Sequence, residues 1–150
     1  MKQITIAIGT DHRGFAYKEQ LKLLDESGDY AINWQDKGCF SAERTDYPPF
    51  GQAVAQALLN HEAHFGVLLC GSGIGMAIAA NRYPSIYAGV AWNSTVAQKA
   101  REDDHVNILV IPADYITQEQ LISIFEAWLL ASPKPGRYAD RLAMIDAMAE

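Results

Sequence analysis

The sequence has little cysteine and no long hydrophobic run. Only two cysteines, Cys39 and Cys70, occur among 150 residues. They are too few for a disulfide framework and are not spaced as zinc ligands, so we expect a reducing, cytoplasmic location. No apolar stretch approaches the roughly 18–20 residues that a membrane-spanning helix needs. Residues 1–6 already have a strand-like pattern, so we expect no signal peptide and no membrane partner.

Positive charge is also scarce. Lys and Arg total 12 against 18 Asp and Glu, which gives a net charge of -6. An acidic chain without a basic stripe cannot replace the counterions of a nucleic acid, so we expect no nucleic-acid partner. Two or three well-placed cations can still bind a small anion such as a phosphate. Glycine and proline are too few for a low-complexity chain, and the length and the 49% hydrophobic content fit one folded domain over 1–150.

Short apolar segments alternate with helical segments along the chain. Continuously apolar strands that are separated by helices are typical of a parallel sheet covered on both faces. We therefore predict an α/β fold, a doubly wound (Rossmann-like) five-stranded parallel sheet with helices on both faces. The predicted strands are 3–9, 30–35, 65–70, 86–92 and 106–111, and the predicted helices are about 15–26, 49–62, 74–82, 94–103, 117–131 and 137–149.

Polar segments follow most of these strands. In doubly wound sheets, ligands bind in the crevice beyond the carboxyl ends of the strands, so these segments are predicted to share one site. They are Gly9-Thr10-Asp11-His12, Cys70-Gly71-Ser72-Gly73, Trp92-Asn93 and Pro112-Ala113-Asp114.

The segment Cys70-Gly71-Ser72-Gly73-Ile74-Gly75 is the most informative of them. Its glycines allow a sharp turn that brings backbone amides close to a ligand, and the following helix would direct its free N–H groups to the same point. We expect this environment to lower the pKa of the Cys70 thiol. A buried, inert cysteine is the alternative. Met76 breaks the dinucleotide-binding fingerprint, and the segment matches neither a P-loop nor a hydrolase elbow.

Two segments that contain histidine lead to different expectations about a functional site. Asp11-His12 can handle protons or bind hydroxyl and phosphate groups, or it can be an ordinary capped turn. His61-Glu62-x-His64 lacks the spacing of a zinc-binding helix, so we expect no metal site there.

Charged residues near two helix ends also allow two interpretations. Arg137 and Arg141 lie one turn apart at the start of the last predicted helix, where cations oppose the helix dipole. Such a pair suits a phosphate, although it can equally be solvated. Asp103-Asp104-His105 ends an earlier helix, either as a solvated cap or as part of a site.

Taken in order, these segments resemble one known family, the type B ribose-5-phosphate isomerases and the related galactose-6-phosphate isomerase subunits. The resemblance covers nearly the whole chain. The matching segments are Asp11-His12-x-Gly14, Asp36-Lys37-Gly38, Thr45-Asp46-Tyr47-Pro48, Cys70-Gly71-Ser72-Gly73-x-Gly75 with Ile78-Ala79-Ala80-Asn81, and Gly136-Arg137-x-x-x-Arg141.

The resemblance implies an aldose–ketose isomerisation of a small-molecule phosphosugar, without metal or organic cofactor, in a homodimer or a dimer of dimers whose sites are completed across the subunit interface. Cys70 matches the base, Ser72 a proton relay, and the 71–75 loop the group that stabilises the enediolate. The catalytic residues expected are Cys70, Ser72, Asp11 and His105. The substrate-binding residues expected are His12, Tyr47, Gly71, Gly73, Gly75, Arg137 and Arg141.

The chain departs from the family in one region. Asp103-Asp104 stands where members usually carry His-Asn, whose histidine helps to open the sugar ring, and Asp114 stands where they carry an arginine. His105 is close enough in sequence to take over ring opening. Ribose 5-phosphate is the default substrate; a tetrose 4-phosphate, which needs no ring opening, or a hexose 6-phosphate is the alternative. A non-catalytic phosphosugar-binding protein and, less well supported, a flavin or nucleotide binder are the other classes.

Overall fold

A computed structural model describes residues 1–148. A six-stranded sheet runs in the order β2-β3-β1-β4-β6-β5, and all neighbouring strands are parallel except β2 and β3. The strands are β1 (Lys2–Thr10), β2 (Glu26–Ser27), β3 (Tyr30–Asp36), β4 (Phe65–Cys70), β5 (Ala88–Val90) and β6 (Ile108–Pro112). The helices are α1 (Phe15–Leu21), α2 (Pro48–Leu59), α3 (Ile74–Ala80), α4 (Ser94–Asp104), α5 (Gln118–Leu129) and α6 (Arg137–Ala147). The predicted doubly wound α/β fold is confirmed.

The sheet has one strand more than predicted. Helix α1 ends at Leu21, and Glu26–Ser27 forms a short antiparallel edge strand instead of a last helical turn. Gly28, with φ of +55°, turns the chain directly from this strand back into β3. The predicted strand over 86–92 shortens to Ala88–Val90. The predicted last helix ran to residue 149, which lies outside the described residues.

The hydrophobic core lies on both faces of the sheet because successive strand residues point to opposite sides. On β1, Ile4, Ile6 and Ile8 pack in the cluster that contains α5, whereas Ala7 belongs to the opposite cluster with α2 and α3. No helix within residues 1–148 is long and apolar enough to span a membrane.

A buried ion pair holds the loop after β3 against the end of β1. The Lys18 side chain is fully buried, and its Nζ donates to both carboxylate oxygens of Asp36 at 2.7 Å. Lys22 also donates to Asp36, and the backbone of Gly38 does so at 2.8 Å. The loop then exchanges backbone hydrogen bonds with Thr10, the residue before Asp11. Asp36 therefore helps to position the carboxyl edge of the sheet.

We expect Asp36→Asn to destabilise the fold by about 3 kcal/mol at neutral pH, because it leaves Lys18 buried without its counterion. Burial alone would raise the pKa of Asp36, but the hydrogen bonds from Lys18, Lys22 and Gly38 together hold it below its ordinary value. A lowered carboxyl pKa contributes stability that is present at neutral pH and lost as the pH falls through that pKa. Chemical denaturation from pH 7 to pH 3 should therefore show a flatter pH dependence in Asp36→Asn.

Glu19→Gln is the matched control. Glu19 contacts the same two lysines, but its side chain is 46% exposed, so its loss should cost less than about 1 kcal/mol. Equal losses in the two variants would contradict a special role for Asp36.

Candidate active site

Cys70 is the last residue of β4 and begins a tight loop into α3. Gly73 has φ of +78°, a conformation that L side chains rarely adopt, and this turns the chain back over the strand end. The backbone amides of Gly73, Gly75 and Met76 lie near enough to the Cys70 thiol to lower its pKa. That the amides of this loop bind a ligand remains a prediction.

The prediction of a lowered pKa at Cys70 is wrong. The residue is only 5% exposed, and burial raises the pKa of the thiol, with a further contribution from the negative charge of Asp11. The three amides lower the pKa, but they do not outweigh the loss of hydration. The resting group is therefore a protonated thiol at neutral pH. The backbone N–H of Asp11 donates to the carbonyl of Leu69 at 3.4 Å, so Asp11 lies next to the end of the strand that carries Cys70.

Asp11 and His12 form the wall of the site next to the thiol. Asp11 is buried, and its Oδ1 accepts a hydrogen bond from the backbone N–H of Arg13 at 3.0 Å. His12 Nδ1 accepts from the backbone N–H of Thr45 at 3.2 Å. A neutral His12 consequently carries its proton on Nε2, which leaves that nitrogen as a hydrogen-bond donor.

Tyr47 lies directly against the glycine loop. A side chain at Gly75 would place its Cβ about 2.7 Å from the Tyr47 hydroxyl, so only glycine allows the ring to lie there. The Ser72 hydroxyl, at the exposed top of the loop, accepts from the backbone N–H of Ile74 at 3.2 Å. Since that oxygen accepts, its own proton is directed away from the loop amide.

Arg13 is a member of this cluster that the sequence analysis missed. Its Nη1 donates to Asp114 Oδ2 at 2.5 Å, and the pair lies over the loop: a Cβ on Gly71 would be 2.8 Å from Arg13 Cδ and from that same oxygen. The backbone N–H of Asp114 donates to the carbonyl of Gly71 at 3.0 Å. The sequence places an arginine after β1 and an aspartate after β6, and these opposite charges were the signal that could have predicted the pair.

The remaining predicted residues lie at the other end of α4. His105 Nε2 is 2.7 Å from the carbonyl oxygen of Lys134, whose Nζ donates to Asp103 at 2.9 Å. Arg141 is close enough to Asp103 to help lower the pKa of that carboxyl, after the larger effect of Lys134. Helix α4 starts beside the carboxyl edge of the sheet and runs back along it for 11 residues, about 16 Å.

The chain therefore carries two separate clusters. The thiol cluster contains Asp11, His12, Tyr47, the 70–75 loop and the Arg13–Asp114 pair that covers Gly71. The α4-end cluster contains Asp103, His105, Lys134, Arg137 and Arg141. Arg137 and Arg141 both stack on the Tyr138 ring, with guanidinium carbons 5.0 Å and 5.4 Å from its centre. Among residues 1–148, no hydrogen bond or ion pair joins His105, Arg137 or Arg141 to the thiol cluster.

No three His, Cys, Asp or Glu side chains among residues 1–148 are grouped so that they could hold a metal ion. His64 instead accepts the backbone N–H of Thr5 through Nδ1 at 2.9 Å, so it closes the start of β4 against β1.

Known proteins resemble this chain over almost its whole length. A family model described as Ribose/Galactose Isomerase matches residues 6–145. Ribose-5-phosphate isomerase B of Escherichia coli (strain K12) is 38% identical over 146 residues, which are 97% of this chain and 96% of that protein.

Solved structures agree with this result. A ribose 5-phosphate isomerase from Thermotoga maritima superposes with a TM-score of 0.90 at 40% identity and covers 96% of this chain and 98% of its own. The type B ribose 5-phosphate isomerase of Trypanosoma brucei gives a TM-score of 0.92 at 33% identity, with 99% of both chains covered.

Proposed function

Because the chain belongs to the ribose/galactose isomerase family, we propose that it interconverts ribose 5-phosphate and ribulose 5-phosphate with Cys70 as the base. The protein is a sugar-phosphate isomerase. The observation that carries the proposed chemistry is a buried thiol at a strand end, with a glycine loop that turns back over it at Gly73 and with Asp11 held at the end of the neighbouring strand.

Isomerisation moves one proton between two neighbouring carbons. In the proposed reaction the Cys70 thiolate removes the proton from C2 of the open-chain aldose, and the electron pair forms an enediolate with negative charge on O1. The same proton then returns to C1, while the proton on O2 passes to O1 through Ser72, and the C2 carbonyl of the ketose forms. Amides that already point at the strand end stabilise the transient oxyanion without having to reorganise.

The thiol also has to lose its own proton before it can act. A raised pKa makes the thiolate scarce at neutral pH but makes it a stronger base once it forms. In this proposal Asp11, whose backbone N–H donates to the carbonyl of Leu69 next to Cys70, accepts that proton, and Tyr47 and His12 complete the walls that hold the sugar and its phosphate.

We also propose that a second copy of the chain completes each site. The α4-end cluster lies at the end of a helix about 16 Å long that runs away from the carboxyl edge of the sheet, so in this proposal that cluster, with its arginine pair, meets the thiol cluster of a neighbouring subunit. Apolar side chains support an interface between copies. They are exposed on α3 (Ile74 61%, Ile78 58%) and α6 (Met144 63%, Ile145 52%).

Arg137→Ala and Arg141→Ala are each expected to raise KM about tenfold with little change in kcat. A charge-assisted hydrogen bond to phosphate is worth about 1.5 kcal/mol, which is roughly a tenfold change in affinity. Steady-state kinetics with ribose 5-phosphate measure the effect, and Lys2→Ala, which removes one positive charge at the start of β1, is the control.

Mixed dimers test where the arginines act. A dimer made only of Cys70→Ala chains, or only of chains with both Arg137→Ala and Arg141→Ala, should have low activity. A mixed dimer with one chain of each kind has one site in which the thiol and both arginines are unchanged, so it should regain activity. If a dimer that is shown to contain one chain of each kind gains no activity, the thiol and the arginines of one chain act in the same site.

An open-chain tetrose 4-phosphate is the second candidate substrate, and one observation favours it. Asp103 stands in place of the expected ring-opening histidine, and the hydrogen bond from Lys134 lowers the pKa of Asp103, so it is ionised and cannot donate a proton at neutral pH. An open-chain substrate needs no such donor. Assays of the purified protein against ribose 5-phosphate and erythrulose 4-phosphate compare the two candidates directly.

A further inference from the structure

We propose that Arg13 is a phosphate-binding residue of the thiol cluster and that Asp114 holds its guanidinium in the binding orientation. The inference rests on the proposed function, since it takes a sugar phosphate as the ligand. It assigns a role to an ion pair that the catalytic steps above do not use.

The backbone of Arg13 is fixed on three sides. Its N–H donates to Asp11, and it lies in the short turn His12–Gly14, which packs on β4. Gly14 has no room for a side chain, because a Cβ there would be 2.5 Å from the Cβ of Leu69. The start of the Arg13 side chain therefore has little freedom.

The far end of the side chain is fixed by Asp114. Only Nη1 of Arg13 takes part in a side-chain hydrogen bond among residues 1–148, and its partner is Asp114 Oδ2. Asp114 is itself anchored, because its backbone N–H donates to Gly71. A guanidinium carries five N–H donors in a planar fork, so one edge remains for a second anion.

The position of this fork suits the anionic end of the substrate. The pair covers Gly71, the residue after Cys70, and is therefore within the length of a sugar phosphate whose reacting carbon lies at the thiol. The Arg13 side chain is 56% exposed, so a ligand can reach it. A phosphate matches the spacing of a guanidinium fork better than a sugar hydroxyl does.

The two possible roles of Asp114 predict opposite changes in phosphate affinity when its negative charge is removed. As a negative charge alone, Asp114 would repel phosphate, and its removal would tighten binding. As the residue that orients Arg13, its removal should weaken binding even though the site becomes more positive.

Calorimetric titration with inorganic phosphate, together with kinetics on ribose 5-phosphate, tests both parts. We expect Arg13→Gln to raise the phosphate Kd and the KM at least tenfold with kcat within threefold of the unchanged protein. Asp114→Asn should raise both constants about threefold, and Asp114→Glu should restore them. In the Arg13→Gln background, Asp114→Asn should instead tighten phosphate binding.

The control is Lys2→Gln, which removes one positive charge at the amino end of β1, opposite the carboxyl end that carries the site, and should leave the phosphate Kd unchanged. An unchanged phosphate Kd in Arg13→Gln overturns the proposal, and tighter binding in Asp114→Asn alone overturns the orienting role. If Arg13→Gln weakens phosphate binding while the unchanged protein isomerises no sugar phosphate, the proposed function fails and this inference stands.

Discussion

Cys70→Ala is expected to lower kcat by at least about 100-fold while leaving KM and the fold nearly unchanged. Removal of a group that transfers a proton in the transition state typically costs 10²–10⁴-fold in rate, about 3–5 kcal/mol. Alanine keeps the backbone of the strand end, and the small cavity left by one sulfur lies in the apolar cluster that also contains Met76 and Val110. The proposed substrate contacts through His12 and Tyr47 should not be altered.

Cys39→Ala is the matched control, because Cys39 is also a free, buried cysteine with a pKa raised by burial. It lies in the loop after β3, where its thiol donates to the carbonyl of Ser41, so its loss should leave kcat within about twofold. Ketose formation, circular dichroism and the thermal midpoint should be measured for both variants. More than a tenth of the original kcat in a folded Cys70→Ala would exclude Cys70 as the base.

The same thiol determines the pH dependence. Because burial raises the pKa of Cys70, the thiolate fraction of the free enzyme increases as the pH rises through neutrality. We expect kcat/KM to rise with pH between 6 and 8, by up to tenfold per unit, and iodoacetate to inactivate the enzyme faster along the same curve. A substrate analogue should protect against the reagent.

The sequence predicts the parallel strands and the site at their carboxyl ends because both depend on local patterns. Continuously apolar segments identify the parallel strands, and glycine spacing identifies the turn after Cys70. The pKa of Cys70 was not predictable, since it is a balance between burial and three amides. The Arg13–Asp114 pair was missed because its members are 101 positions apart and meet only when β1 and β6 lie in one sheet.

The second large effect concerns Asp103. A cyclic pentose phosphate must open before its carbonyl can activate the neighbouring C–H bond, and a positioned imidazole speeds opening by general acid–base catalysis. The carboxylate of Asp103 cannot supply that proton, because Lys134 keeps it ionised. His105 is the alternative donor, but its Nε2 is engaged by the carbonyl of Lys134.

We therefore expect Asp103→His to raise kcat/KM for ribose 5-phosphate about 100-fold and to leave that for erythrulose 4-phosphate unchanged. The new imidazole acts on ring opening alone, and the low end of the 10²–10⁴-fold range for acid–base catalysis gives the magnitude. Coupled enzyme assays on both substrates measure the change. Trapping of the open-chain form of the sugar shows whether ring opening is the step that has become faster.

Asp103→Asn is the control, because it also loses the charge pairing with Lys134 but has no group that can donate and accept a proton at neutral pH. Similar gains in the asparagine and histidine variants would attribute the effect to charge and contradict the prediction. His105→Ala should be measured beside them: a 100-fold loss that is confined to ribose 5-phosphate, with no gain from Asp103→His, would assign ring opening to His105 instead. With the Lys134 carbonyl holding the His105 ring at 2.7 Å, we expect that loss to be less than threefold.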